Sequence, residues 1–246
     1  MPRVLILGGT GDAADLAAKL STHPSIAVIS SLAGRTSQPL APIGTVRSGG
    51  FGGVAGLVSY LKTQQIDALI DATHPFAQQI SWHGAEAAQA VGIPCLRLAR
   101  PAWQKMPEDC WIEVDTIEAA VSAIPTHARR VFLTIGRQQL APFAVLSQIW
   151  FLMRSIDSPD ATRPIPHGQV LLDRGPFSLV QERQLLQDYQ IDVLVSKNSG
   201  GDATYAKIMA ARELQTPVVM VQRPEMPAGA TVADGEGAIA WLLQVL

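Results

Sequence analysis

Arg3-Val4-Leu5-Ile6-Leu7-Gly8-Gly9-Thr10-Gly11-Asp12-Ala13-Ala14 is an apolar run that breaks into glycines and then into a segment rich in Ala and Leu. Residues 4–7 read as a buried strand, and residues 12–20 as a helix of strong helix formers. From Gly9 the junction spells G-x-G-x-x-A, the dinucleotide-binding fingerprint in the strand-to-helix setting it requires. Gly9 permits the tight turn, Gly11 lets a pyrophosphate approach the backbone, and Ala14 lets helix and strand pack closely. The helix N-terminus offers N–H groups and a positive dipole end to phosphates. Gly9, Thr10, Gly11, Asp12 and Ala14 are the cofactor-binding residues expected here. A merely structural turn is the competing reading.

The alternation continues outward. Residues 26–30 read as a second strand, 44–47 as a short third, 54–62 as a helix and 68–71 as a strand. Residues 78–91 read as a helix closed by Gly92, and 94–98 as a strand. Residues 99–114 carry Pro101 and Pro107, have no clear period and read as a crossover. The pattern then restarts, with strands at 130–135 and 149–153, a helix at 177–189 and a strand at 193–196. A helix at 203–214, a strand at 218–221 and a final helix at 236–245 follow. Strands alternating with helices imply βαβ units and a parallel sheet.

An internal echo supports a duplication. Arg3-Val4-Leu5-Ile6-Leu7-Gly8 recurs loosely as Arg130-Val131-Phe132-Leu133-Thr134-Ile135-Gly136. Ile66-Asp67-Ala68-Leu69-Ile70 recurs as Ile191-Asp192-Val193-Leu194-Val195, and Pro94 through Arg100-Pro101 as Pro217 through Arg223-Pro224. The order is kept and the offset is nearly constant. The expectation is an α/β protein of two similar Rossmann-like parallel-sheet halves with a cleft between them. Residues 1–100 would form an NADP(H)-binding domain and 115–246 a substrate-side domain, with the last helix able to pack back on the first.

The end of the second strand bears on cofactor choice. An NAD enzyme usually carries Asp or Glu there for the ribose 2′-hydroxyl. This chain has Ser30-Ser31-Leu32-Ala33-Gly34-Arg35-Thr36, with no carboxylate. The planar fork of Arg35 suits a 2′-phosphate, with hydroxyls from Ser31 and Thr36 beside it. NADPH is therefore expected over NADH.

Ligands of doubly wound sheets sit beyond the carboxyl ends of the strands. One such end runs into Ala72-Thr73-His74-Pro75-Phe76-Ala77. Thr73 is read as a cap for the next helix and as a cofactor contact, with Pro75 in the first turn. Neither role requires His74, which is read as a ligand contact and a candidate catalytic residue. The matching loop of the second half is Lys197-Asn198-Ser199-Gly200-Gly201-Asp202. It reads as an anion-binding nest at a helix N-terminus, with Asp202 as the alternative cap. Gly136-Arg137-Gln138 lacks a second glycine, so the second half is expected to bind substrate rather than dinucleotide. Arg137, Lys197, Asn198, Ser199, Gly200 and Gly201 are the expected substrate contacts, with Lys197 also a catalytic candidate. Arg47 and Arg174 add basic, glycine-containing loops, and Arg100 and Arg223 end strands before proline; together they suggest a polyanionic substrate.

Composition bounds the alternatives. The 246 residues are 48% hydrophobic and 16% charged, with a formal net charge of −2. That leaves ample core and gives no global field to recruit nucleic acid or an acidic membrane. Cys95 and Cys110 form neither a CxxC pair nor part of a zinc pattern, so no metal site is expected and a reducing, cytoplasmic setting is. The opening apolar run is too short for a signal peptide, and no segment has the length of a membrane span. Oligomeric state is left open, with a monomer as the working expectation.

Five blocks together resemble the precorrin-6A reductase family of cobalamin biosynthesis. They are Gly8-Gly9-Thr10-Gly11-Asp12-Ala13, Leu32-Ala33-Gly34-Arg35-Thr36, Gly49-Gly50-Phe51-Gly52-Gly53, Asp71-Ala72-Thr73-His74-Pro75-Phe76-Ala77 and Lys197-Asn198-Ser199-Gly200-Gly201. The Asp71–Ala77 block is the most specific and the glycine loop the least. The resemblance implies NADPH-dependent reduction of the precorrin-6A macrocycle to precorrin-6B. It implies a tetrapyrrole substrate decorated with carboxylates, and a proton that comes from water or from one of Asp71, His74 and Lys197.

Three other readings compete. A cobalt-precorrin-6A reductase of the anaerobic route would share these blocks, and no cobalt-ligand cluster decides the point. A short-chain dehydrogenase would need Tyr-x-x-x-Lys, but Lys62 and Lys207 follow Tyr60 and Tyr205 at the wrong spacing and Tyr189 has no partner lysine. A non-catalytic NADP(H) sensor would not need basic loops in both halves.

Overall fold

The computed structural model describes residues 1–34 and 44–246. They form two compact units, Met1–Pro101 with Pro224–Leu246, and Ala102–Arg223. Each is built on a six-stranded, all-parallel sheet.

The first sheet contains β1 (Arg3–Leu7), β2 (Ala27–Leu32), β3 (Thr45–Ser48), β4 (Ala68–Asp71), β5 (Cys95–Leu98) and β12 (Ala230–Val232), in the order β12-β5-β4-β1-β2-β3. Side chains alternate across a strand, so β1 serves two cores at once. Val4 and Ile6 pack with α1 (Gly11–Ser21) and α7 (Gly235–Val245) through Leu16, Leu20, Ala238 and Leu242. Leu5 and Leu7 pack with α2 (Val54–Thr63) and α3 (Gln78–Val91) through Leu57, Leu61, Ala87 and Ala88. A strand covered on both faces needs an unbroken apolar run, which is why residues 4–7 show no polar alternation.

The second sheet contains β6 (Trp111–Val114), β7 (Arg130–Leu133), β8 (Trp150–Ser155), β9 (Gly168–Leu172), β10 (Val193–Lys197) and β11 (Val218–Val221), in the order β6-β11-β10-β7-β8-β9. One face buries Phe132, Leu152 and Leu194 against α5 (Leu179–Asp188) and α6 (Ala206–Glu213). The other meets α4 (Ile117–Ala123) and a 3₁₀ turn at Ala141–Val145, where Phe143 lies edge-on to Phe151 at 6.1 Å.

The duplication extends to backbone detail. The first N–H of β1, at Arg3, donates to Asp67 Oδ2 (2.7 Å), and those of Arg129 and Arg130 donate to Asp192 Oδ2 (2.8 and 2.9 Å). The Pro94 and Pro217 carbonyls accept from Leu69 and Leu194, each at 3.0 Å. Four helices end with a left-handed residue at matching places: Gln65 (φ 51°), Gly92 (78°), Gln190 (49°) and Gln215 (53°). The next N–H in each case reaches back to close a Schellman motif: Ile66 to Leu61, Ile93 to Ala88, Ile191 to Leu186 and Thr216 to Ala211, at 2.8–3.1 Å. The sixth strand of each half is exchanged. After β5 the chain enters the second sheet as β6, beside β11, and after β11 it returns to the first as β12, beside β5.

Several expectations are revised. Residues 99–114, read as a crossover, end in β6, an edge strand whose Ile112 and Glu113 are exposed. Strands β9 and β12 and helix α4 were not anticipated. Helix α5 starts later than residue 177 because Ser178 caps it in a capping box with Gln181. Helix α6 starts at Ala206 rather than 203, behind Tyr205, so Asp202 is not its cap.

The left-handed glutamines make a testable point. Gln190 is exposed, so Gln190→Gly removes backbone strain without losing packing. It is expected to raise the unfolding free energy by about 0.5–1 kcal/mol, seen as a higher urea midpoint at unchanged slope, whereas Gln190→Val lowers the midpoint.

Candidate functional site

In the first unit the carboxyl end of β1 opens into the glycine loop. Gly9 takes φ 106°, which a side chain would resist, and a Cβ added at Gly9 or Gly11 would meet nothing within 4 Å. The loop therefore leaves room for close approach. Thr10 caps α1, its Oγ1 accepting from Ala13 N (3.1 Å) and donating to Ala72 O (2.8 Å). Its hydroxyl thus ties the loop to the end of β4. The Gly11 and Asp12 N–H groups lie in the first helical turn and have no acceptor within the helix. Asp12 would repel a phosphate, but Arg100 Nη1 stands 2.6 Å from its Oδ2 and offsets that charge. The close packing expected at Ala14 falls on its neighbour. Ala13 is buried, and a Cβ at Gly8 would come within 3.3 Å of its Cβ, while Ala14 is half-exposed.

Ser31, near the end of β2, is buried and its Oγ accepts from Arg47 Nη1 (2.8 Å). Arg35 and Thr36, expected beside it, lie outside the described residues.

The β4 end differs from expectation. Thr73 does not cap α3, which begins at Gln78 behind Ala77 with no side-chain cap. Instead Asp71, 4% exposed, accepts at Oδ1 from Thr73 N (3.1 Å) and Thr73 Oγ1 (2.6 Å). This turn carries His74. The Phe76 N–H donates to His74 Nδ1 (3.2 Å), and Ala77 N–H to the His74 carbonyl (2.7 Å). With Nδ1 an acceptor, the neutral ring carries its proton on Nε2. Protonating Nδ1 would break the bond from Phe76. Burial, with Asp71 alongside, pushes the nearby Cys95 thiol up to about 11, which makes it a poor nucleophile.

In the second unit, β10 ends in Lys197 and the glycine pair. Burial lowers the Lys197 amine to about 8. Asn198 was expected to touch substrate, but both ends of its amide are engaged. Its Oδ1 accepts from Trp103 N (2.8 Å) and its Nδ2 donates to Trp103 O (3.0 Å), all buried. Arg223 donates to the carbonyls of Asn198 and Ser199, each at 2.9 Å, and Trp103 Nε1 donates to that of Gly201 (2.8 Å). A trans peptide points its N–H opposite its carbonyl. With the Ser199 carbonyl held by Arg223 and the Gly201 carbonyl by Trp103, the Gly200 and Asp202 N–H groups point away from those donors. Gly200 (φ 67°) and Gly201 (φ 73°) allow this path. Lys207 is buried beneath it, its Nζ donating to Thr204 O (3.1 Å) and lying 4.8 Å from the centre of the Trp103 ring. Arg137 donates to Ser158 O (2.7 Å) and faces Asp157 at 3.8 Å, so it also fixes the loop after β8.

Sequence reasoning missed Trp103, which sits in a proline-bounded stretch without period, and gave Arg223 to ligand rather than to the loop beneath it. Among the described residues no cluster of three or more His, Cys, Asp or Glu could hold a metal ion, and no helix is long and apolar enough to cross a membrane.

Comparison with known proteins agrees with this layout. Residues 3–243 match the family model of precorrin-6x reductase CbiJ/CobK. The precorrin-6A reductase of Rhodococcus erythropolis is 49% identical over 243 residues, which is 98% of each chain. That of Mycobacterium tuberculosis is 47% identical over 234 residues, covering 95% of this chain and 94% of its own. A solved structure of CobK precorrin-6A reductase superposes with a TM-score of 0.94 at 40% identity, covering 100% of this chain and 97% of that one. The chain belongs to the precorrin-6x reductase family, oxidoreductases that act on a CH–CH bond.

Proposed function

We propose that the protein reduces precorrin-6A to precorrin-6B with NADPH, in the cytoplasm and as a monomer. Family membership supports the reaction class, and the open Gly9–Gly11 loop at the N-terminus of α1 is the observation that carries the cofactor. The residues present fit a dinucleotide: the loop leaves space for a pyrophosphate, the first-turn amides lack helical acceptors, and Arg100 offsets Asp12. Gly9, Thr10, Gly11, Asp12, Ala14, Ser31 and Thr73 would hold NADPH, with Arg35 and Thr36 at its 2′-phosphate. When bound, the nicotinamide supplies a hydride for one carbon of the macrocycle.

The chain's own residues do the rest. The Gly200 and Asp202 amides, Lys197 and Arg137 hold carboxylates of the tetrapyrrole, and His74 contacts the ligand. Ser199 and Gly201 keep the loop on its path. Asn198 acts one step back, as the positioning residue that pins the loop to Trp103. Lys197 is the better proton donor of the two catalytic candidates. An amine near 8 is mostly protonated at neutral pH yet releases its proton readily. Fixed orientation of the two reactants supplies most of the acceleration.

The direct test is loss of NADPH absorbance with purified protein and enzymatically prepared precorrin-6A. Oxidation that requires the macrocycle and prefers NADPH to NADH is expected. Cofactor binding without turnover would instead favour a sensor.

Because the protonated amine is the active form, kcat/KM should be flat at low pH and fall as pH rises through about 8. Lys197→Arg stays charged and should lose that alkaline limb. A limb that persists near 8 in this variant would move the titration to another group.

Asn198→Ala strands the buried N–H and carbonyl of Trp103 and should cost about 1–3 kcal/mol. Thermal unfolding, together with KM for the macrocycle, reads the effect. A stable variant with unchanged KM would remove Asn198 from the positioning role.

A further inference from the structure

We propose that Arg47 is a second guanidinium reading the 2′-phosphate of the adenosine half of NADPH, a role that rests on the cofactor reading above. Strand order puts it in place. Leu7, Ser31 and Arg47 stand at one level across β1, β2 and β3, and Leu7 leads directly into the glycine loop. In doubly wound sheets the pyrophosphate lies at the end of the first strand and the adenosine ribose at the end of the second. Arg47 is one strand further along the same edge.

Its surroundings suit a phosphate rather than a protein carboxylate. The guanidinium lies over the Phe51 ring, 3.8 Å from the centroid, with Tyr60 at 5.2 Å. It donates from Nη1 to Ser31 Oγ (2.8 Å) and from Nη2 to Gly50 O (3.0 Å). These contacts fix its plane and account for two of its five N–H donors. Among the described residues no carboxylate pairs with it. A half-buried cation with no counter-charge is costly unless something else supplies one. Ser31 adds to the argument. It is 5% exposed and accepts from Arg47, so its own hydroxyl proton points to a different acceptor. A phosphate oxygen beside the guanidinium would serve both. The neighbouring loop leaves room, because a Cβ at Gly49 or Gly50 would meet nothing within 4 Å.

Calorimetric binding of adenosine 2′,5′-bisphosphate and of 5′-AMP to the full chain tests this without turnover. The wild type is expected to favour the bisphosphate. Arg47→Gln is expected to weaken the bisphosphate about 10- to 100-fold and leave 5′-AMP within about twofold. Equal loss of both ligands would show that Arg47 only clamps the loop, and unchanged discrimination would also overturn the proposal. Wild-type protein that ignores the 2′-phosphate would sink the NADPH reading and this proposal with it. If Arg47→Gln does not fold, Ser31→Ala keeps the Phe51 stack and should still weaken the bisphosphate selectively. Full discrimination in that variant would overturn the proposal.

Discussion

Burial of β1 on both faces is the constraint on which the first unit rests. Val4 and Ile6 belong to one core, Leu5 and Leu7 to the other, and all four are essentially inaccessible. A slip by one residue would exchange the two sets and disrupt both cores. The register also sets the chemistry. With Leu7 level with Ser31 and Asp71, the loops that follow β1, β2 and β4 leave the sheet along one edge. Thr10 then bridges two of them through Ala72. The site is a consequence of where the apolar run ends.

The second unit reaches a similar result by other means. Its β7 turn has no glycine cradle of the first kind. Its β10 loop instead has its carbonyls held from below by Arg223 and Trp103. The amides that follow those carbonyls point the opposite way, which is the direction from which the proposed carboxylate contact would come. Lys197 contributes differently, since the burial that makes its charge costly also brings its titration close to neutrality.

Features governed by local chemistry were legible in the residues. These include the central strands, the glycine loop, the Gly92 stop and the internal echo, each written in short contiguous runs. The edge strands β6, β9 and β12 were not, because they are three to five residues long and largely exposed or half-exposed, so none presents the long unbroken apolar run of a central strand. Thr73 carries the right side chain for a cap, but Asp71, two residues earlier, draws both its N–H and its hydroxyl away from the helix. Asn198 looked like a ligand residue because it sits in the loop. Its amide partners are 95 residues away in sequence, and no local pattern announces Trp103.

The exchanged sixth strands bear on synthesis. A ribosome delivers Met1–Pro101 first, yet that sheet lacks its β12 edge and the α7 cover over Leu16 and Leu20 until Pro224–Leu246 emerges. The second unit has all of its strands by Val221 and can close earlier. The half made first is therefore the half finished last. While it waits, β5 presents an open edge and α1 an uncovered apolar stripe, the kind of surface that chaperones hold on a nascent chain.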